Sequence, residues 1–200
     1  MYQRALFTWS LVLTMFIIAG CGGGQSDKSK TPEPAAKGGA AKVFTIISSG
    51  FKDGDSIPLK YANTVVSGAE NLSPPLVWSD APAGTNSFAL VVVDRSPVAD
   101  DWLHWVVIDL PANTTSLLEG ASGSDKMPAG SKELNNTFGL KGYNGPQPPP
   151  GSGPHDYELI IYALNIENLT MDQNVTFADF FNKLQSYVLS SAKMTVRMER

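Results

Sequence analysis

Two hundred residues, 42% hydrophobic and 17% charged, suit one globular domain with a tail and exclude a chain that is disordered throughout. Eighteen glycines and 14 prolines argue for plentiful turns and against a helical bundle, and 15 Lys and Arg against 19 Asp and Glu exclude a broad basic face for nucleic acid. One cysteine excludes an intramolecular disulfide, a CxxC redox pair and a cysteine-rich zinc site, and two histidines leave little for a histidine metal cluster, so no cofactor is expected.

Residues 1–20 read as a secretory signal peptide. Arg4 precedes an apolar run from Ala5 to Ile18, which ends in small residues. The run is shorter than the ~20 residues a membrane span needs, which disfavours the competing reading of a short transmembrane anchor. The ending Ile18-Ala19-Gly20-Cys21 resembles the bacterial lipobox, whose cysteine becomes the lipid-modified first residue after cleavage. Lipidation at Cys21 would anchor the protein to a membrane of the bacterial cell envelope, at the outer membrane or an extracytoplasmic face. Residues 21–42, rich in Gly, Ser, Pro, Ala and Lys, read as a flexible tether reaching roughly 25 Å, and residues 43–200 as the domain. Five Asn-x-Ser/Thr matches, at Asn71, Asn113, Asn135, Asn168 and Asn174, are chance matches beside a bacterial lipobox.

Within the domain, Ser87–Val93, His104–Leu110 and Tyr157–Leu164 are short, nearly continuous apolar runs of the kind a strand buried on both faces carries. Phe44–Ser48, Ile57–Tyr61, Leu76–Trp78 and Met194–Met198 are weaker strand candidates. One helix is predicted over Phe177–Ser191, from the spacing of Phe177, Phe180, Phe181, Leu184 and Val188, with Thr176 and Asp179 as its N-terminal cap. Many strands, one late helix and no βαβ alternation predict a mostly β domain with long loops, notably Leu118–Leu140.

Two loops carry chemistry. Asp94 to Trp105 places a carboxylate at a strand end, then a proline turn, then Trp102 and His104 at the start of the next strand. If the strands pair, these groups share a rim. Gly142 to Tyr157 reads GYNGPQPPPGSGPHDY, where prolines that fix φ and glycines that free it can shape a rigid loop. Both histidines lie where one of these loops enters a strand.

These loops resemble the signatures of the phosphatidylethanolamine-binding protein family, which includes the Raf kinase inhibitor protein, and this chain is most similar to its bacterial branch. The resemblance extends to Phe51-Lys52-Asp53-Gly54-Asp55-Ser56-Ile57-Pro58 and to Gly68-Ala69-Glu70-Asn71-Leu72-Ser73-Pro74-Pro75-Leu76-Val77-Trp78. It implies two antiparallel sheets packed as a sandwich, with peripheral loops and a C-terminal helix. It also implies a small pocket that binds anions, phosphate or a phospholipid head group, using Asp94, Trp102, His104, Pro148, Pro149, His155 and Tyr157. The bacterial members suggest a homodimer as an option; the sequence leaves the oligomeric state open. Two departures bear on ligand preference. Where the family usually has Asp-Pro-Asp-x-Pro, this chain has Asp94-Arg95-Ser96-Pro97, and where it commonly has His-Arg before the tyrosine, Asp156 takes the arginine's place.

Chemistry supports an anion pocket independently. A protonated imidazole donates from both nitrogens and a tyrosine donates its hydroxyl, so His104, His155 and Tyr157 suit phosphate oxygens, and a bound anion would raise a histidine's pKa. Asp94 opposes an anion, so it is expected to orient a histidine or accept from an ammonium group. Pro148 and Pro149 supply a stiff wall and Trp102 an apolar or cation-binding face. Asp94, Ser96 and His104 are also the residue types of a hydrolytic triad, but no Gly-x-Ser-x-Gly elbow and no His-Glu-x-x-His spacing occurs. The sequence therefore reads as a binding module rather than an enzyme. The alternative is an inhibitor of a protease or kinase acting through its loops; a kinase target is awkward for an envelope protein, a protease is not.

Overall fold

The three apolar runs form the centre of a five-stranded antiparallel sheet. The computed structural model describes residues 42–200, so the expected signal peptide, Cys21 and nearly all of the expected tether lie outside the described residues. The strands are β1 (Thr45–Ile47), β2 (Leu76–Ser79), β3 (Ser87–Asp94), β4 (Trp102–Pro111), β5 (Ser116–Leu117), β6 (Lys132–Glu133), β7 (His155–Leu164) and β8 (Val188–Met198). One sheet has the order β6-β4-β3-β7-β8 and the other the order β1-β2-β5, with every pairing antiparallel.

Burial on both faces explains why β3 lacks the polar alternation of a half-exposed strand. Phe88, Leu90 and Val92 face a core closed by the small sheet through Ile46, Leu76 and Trp78. Ala89, Val91 and Val93 face a second core, closed by Phe180 and Leu184 of the helix α1 (Phe177–Leu184). Each of the valine, leucine, isoleucine and phenylalanine side chains contributes about 1.5–3 kcal/mol by leaving water. The result is the expected mostly β domain of two antiparallel sheets with one short helix near the C-terminus.

Two expected elements differ from the structure. The helix stops at Leu184, a 3-10 turn follows over Gln185–Tyr187, and Val188 already opens β8. Val188 fits the helical spacing by coincidence: as a strand residue it pairs with Leu164 and packs on the same core. The cap forms as expected, with Thr176 Oγ1 accepting from Asp179 N–H at 3.1 Å and Thr176 N–H donating to the Asp179 carboxylate at 3.2 Å. Ile57–Tyr61 is not a strand. Pro58, with φ −60°, starts a 3-10 turn over Leu59–Tyr61, and Tyr61 N–H donates to the Pro58 carbonyl at 3.0 Å. The terminal strand is longer than Met194–Met198 because β8 pairs with β7 along its whole length and turns Ala192, Met194 and Val196 inward.

Candidate functional site

At one end of the large sheet, Asp94 is the last residue of β3 and lies between its register partners Trp102 on β4 and Tyr157 on β7. Strand pairing thus brings together three residues far apart in sequence. Next to them β4 carries one extra residue: Val92 pairs with Trp105 and Val93 with Leu103, leaving His104 as the bulge between. A bulge re-aims a side chain, and here it lets His104 and Trp105 both sit on the side of Trp102.

The second loop is clasped to this bulge from both directions. Asn144 N–H donates to the His104 carbonyl at 2.9 Å, and His104 Nδ1–H donates to the Asn144 carbonyl at 2.6 Å. Behind the loop, Asn63 Nδ2 donates to Asn144 Oδ1 at 2.6 Å, and Gly145 N–H to Asn71 Oδ1 at 2.7 Å. A Cβ on Gly145 would lie 2.2 Å from the Tyr61 carbonyl oxygen, so only glycine allows this approach.

The enclosed space is a cavity of about 330 Å³. Asp94, Trp102, His104, Pro148, Pro149, His155 and Tyr157, the residues singled out from the sequence, all line it. Val98, Ala99, Phe138, Gln147 and Ser152 complete the wall. Phe138 comes from the Leu118–Leu140 loop and packs edge-on against Trp102 and His104, at centroid distances of 5.2 and 5.7 Å. Nothing in the sequence places it there. Gln147 and Ser152 stand inside the second loop, where the prolines draw attention away from them.

Asp94 pairs with His155, not with His104. His155 Nδ1 lies 2.6 Å from Asp94 Oδ2, and both residues are almost wholly buried. The other carboxylate oxygen accepts Ser96 N–H at 2.9 Å. His155 Nε2 lies 2.9 Å from Ser152 Oγ, whose hydroxyl donates to the Pro149 carbonyl at 2.7 Å. Asp94 and Ser152 thus hold the His155 ring from both nitrogens and fix its orientation.

His104 is different. Burial holds its imidazole well below the ordinary value, at about 4, against the opposing effects of the Asn144 carbonyl and Asp94. The ring is neutral at pH 7. Since Nδ1 carries the proton bonded to Asn144, Nε2 carries a lone pair and has no hydrogen-bond partner among the described residues. The protonated imidazole considered from the sequence is thus not set up at His104. Burial first, and then the nearby Asp94 charge, push the Tyr157 phenol above its usual value, so its hydroxyl remains a donor. Two further polar atoms of the lining, Trp102 Nε1 and Gln147 Oε1, are buried without partners.

Neither departure from the family pattern faces the cavity. The Ser96 hydroxyl accepts Asp156 N–H at 3.1 Å, and the Asp156 carboxylate pairs with Arg197 at 2.8 Å. Arg95 pairs with Asp101 and stands over the Phe177 ring. No cluster of three or more metal-ligating side chains occurs among the described residues, and no helix among them is long and apolar enough to cross a membrane.

Residues 47–199 match the family model described as phosphatidylethanolamine-binding protein. The chain belongs to that family. The UPF0098 protein YbhB of Escherichia coli is 37% identical over 153 residues, covering 75% of this chain and 96% of that protein. A Mycobacterium tuberculosis protein named "Putative lipoprotein LppC" is 35% identical over 175 residues, covering 83% of this chain and 82% of that one. The crystal structure of Escherichia coli YbcL, described as a new member of the mammalian PEBP family, superposes with a TM-score of 0.73 at 33% identity, covering 78% of this chain and 98% of that chain. Family membership covers both signature loops, since they fall inside the matched span.

Proposed function

We propose that the domain binds a small phosphate-bearing anion, free phosphate or a phospholipid head group, in the cavity beside Asp94. The observation that carries this reading is the Tyr157 hydroxyl in the cavity wall, which burial keeps protonated and so able to donate to a ligand oxygen. The His155 imidazole lies along the same wall, and the family's name is in keeping with such a ligand.

Lipidation at Cys21 would hold this domain on the bacterial envelope, with 1–20 as signal peptide, 21–42 as lipidated tether and 43–200 as the binding domain. The lipoprotein name of the mycobacterial relative supports this part of the reading. The test is titration calorimetry of the full chain in a non-ionic detergent with phosphate, phosphoethanolamine and glycerophosphoethanolamine, wild type against Tyr157→Phe. Saturable binding weakened in the variant is expected. Absence of binding to all three ligands would defeat the reading and direct the search to a protein target such as a protease.

The Asp94–His155–Ser152 chain has the residue types of a hydrolytic relay. Its Ser152 hydroxyl lies 2.7 Å from the Pro149 carbonyl as well as 2.9 Å from His155, which favours a serine that braces the loop over a nucleophile.

A further inference from the structure

The small sheet departs from the pattern of a sheet with one face in water, whose outward positions are ordinarily polar. Phe44, Ile46, Leu76, Trp78 and Leu117 turn into the core, and the alternate residues of the same strands face away from it. Among these, Ile47 is 60% exposed and its register partner Val77 41%, while Val43, two residues before Thr45, is 72% exposed. Leu118, two residues after Ser116, is 59% exposed and extends the row past β5. The other outward positions, Thr45, Ser79 and Ser116, carry no charge. The charged residues that adjoin the row in sequence are matched: Lys42 pairs with Asp80 at 3.2 Å, and Glu119 with Lys60 at 2.6 Å. None of these residues lines the cavity beside Asp94.

We propose that this outer face is a docking surface for a lipid bilayer, the one in which Cys21 would be anchored. The inference rests on the lipoprotein reading above and adds which way the domain faces. The chain from Cys21 arrives at Lys42, directly ahead of Val43 and β1, so the anchored end enters the domain at one edge of this row. A tether of about 20 residues sets no orientation by itself. It holds the domain at a high effective concentration beside the membrane, where an apolar row too small to bind lipid from solution is enough. A second copy of the chain is the competing occupant, but four side chains fall well short of the ~800 Å² per partner that a stable complex buries. The matched ion pairs bring no net charge, so the contact needs no anionic lipid, which a chain with 19 Asp and Glu against 15 Lys and Arg would meet with repulsion. With this face on the lipid, α1 on the far side of the large sheet faces water.

The test is iodide quenching of a thiol-reactive fluorophore on the full chain in phosphatidylcholine vesicles. The label is placed through Val77→Cys or, on the exposed side of α1, through Asn182→Cys. Lipidation blocks the thiol of Cys21, the chain's single cysteine, so the introduced thiol is the one that reacts. Quenching at position 77 should be at least about threefold weaker than at position 182, as for a side chain sunk among the head groups. Adding Val43→Ser and Ile47→Ser, both at well-exposed positions, should restore quenching at position 77 while leaving position 182 unchanged. Equal quenching at the two positions, or protection that survives the two serines, overturns the proposal. Protection that grows with the ratio of protein to lipid also overturns it, by giving the face to a second copy. Uptake of label by the unsubstituted chain would reveal a free Cys21 thiol and defeat the lipoprotein reading together with this one; a blocked Cys21 with position 77 fully quenched defeats this one alone.

Discussion

The buried neutral histidine makes the fold sensitive to acid in a way that one substitution removes. His104 ionises at about 4 in the native protein against 6.5 for an unhindered ring, because the folded chain leaves almost no water around it. Below pH 6.5 the unfolded chain takes up a proton that the native ring refuses. Stability therefore falls as the pH drops from about 6.5 to about 4 and levels off once both states are protonated. At 1.36 kcal/mol per pKa unit the full loss is about 3 kcal/mol. The perturbation is His104→Gln, which keeps an N–H donor for the Asn144 carbonyl but cannot titrate. Urea unfolding at steps between pH 7 and pH 4 gives ΔG for each protein, and the carboxylates, common to both, cancel in the difference. The wild type should lose about 3 kcal/mol more than the variant across that window, mostly between pH 6 and pH 4.5. Parallel curves would refute the argument and mean that the ring charges within the native fold, through local opening or with an anion beside it.

Other positions give sharper structural outcomes. Gly145→Ala forces a Cβ to within 2.2 Å of the Tyr61 carbonyl oxygen, so the second loop must move; a loss of about 2–4 kcal/mol in urea unfolding is expected, and unchanged stability would contradict the close approach. Trp102→Phe removes a buried donor that has no partner, so the urea unfolding midpoint should hardly change; a loss above about 2 kcal/mol would show that the indole N–H is paired. Asp156→Asn breaks a half-exposed pair with Arg197, which should cost less than about 1 kcal/mol and leave phosphate affinity unaltered, since Asp156 does not line the cavity. A clear change in affinity would show that this departure from the family pattern tunes the site after all.

The sequence alone determined the parts of this protein whose chemistry is local. The runs at Ser87, His104 and Tyr157 announce their strands because both faces are buried and nearly every residue is apolar. Thr176 and Asp179 announce the helix start because a cap is a contact over three residues. The proline- and glycine-rich stretch after Gly142, and the carboxylate that ends the Ser87 strand, pointed to the cavity because stiff loops and charged strand ends have few other uses. Tertiary structure decided what depends on distant partners. Val188 fits a helix by spacing, and only pairing with Leu164 makes it a strand residue. Ile57–Tyr61 alternates like a strand, yet Pro58 and the enclosed Tyr61 turn it into a 3-10 turn. Phe138 reaches the cavity from a loop with no signature. Whether Asp94 serves His155 or His104, and which histidine keeps a lone pair, follows from a bulge at His104 and from the Asn144 carbonyl. A one-residue offset between strands and the exclusion of water set those outcomes, and neither is written in the order of the residues.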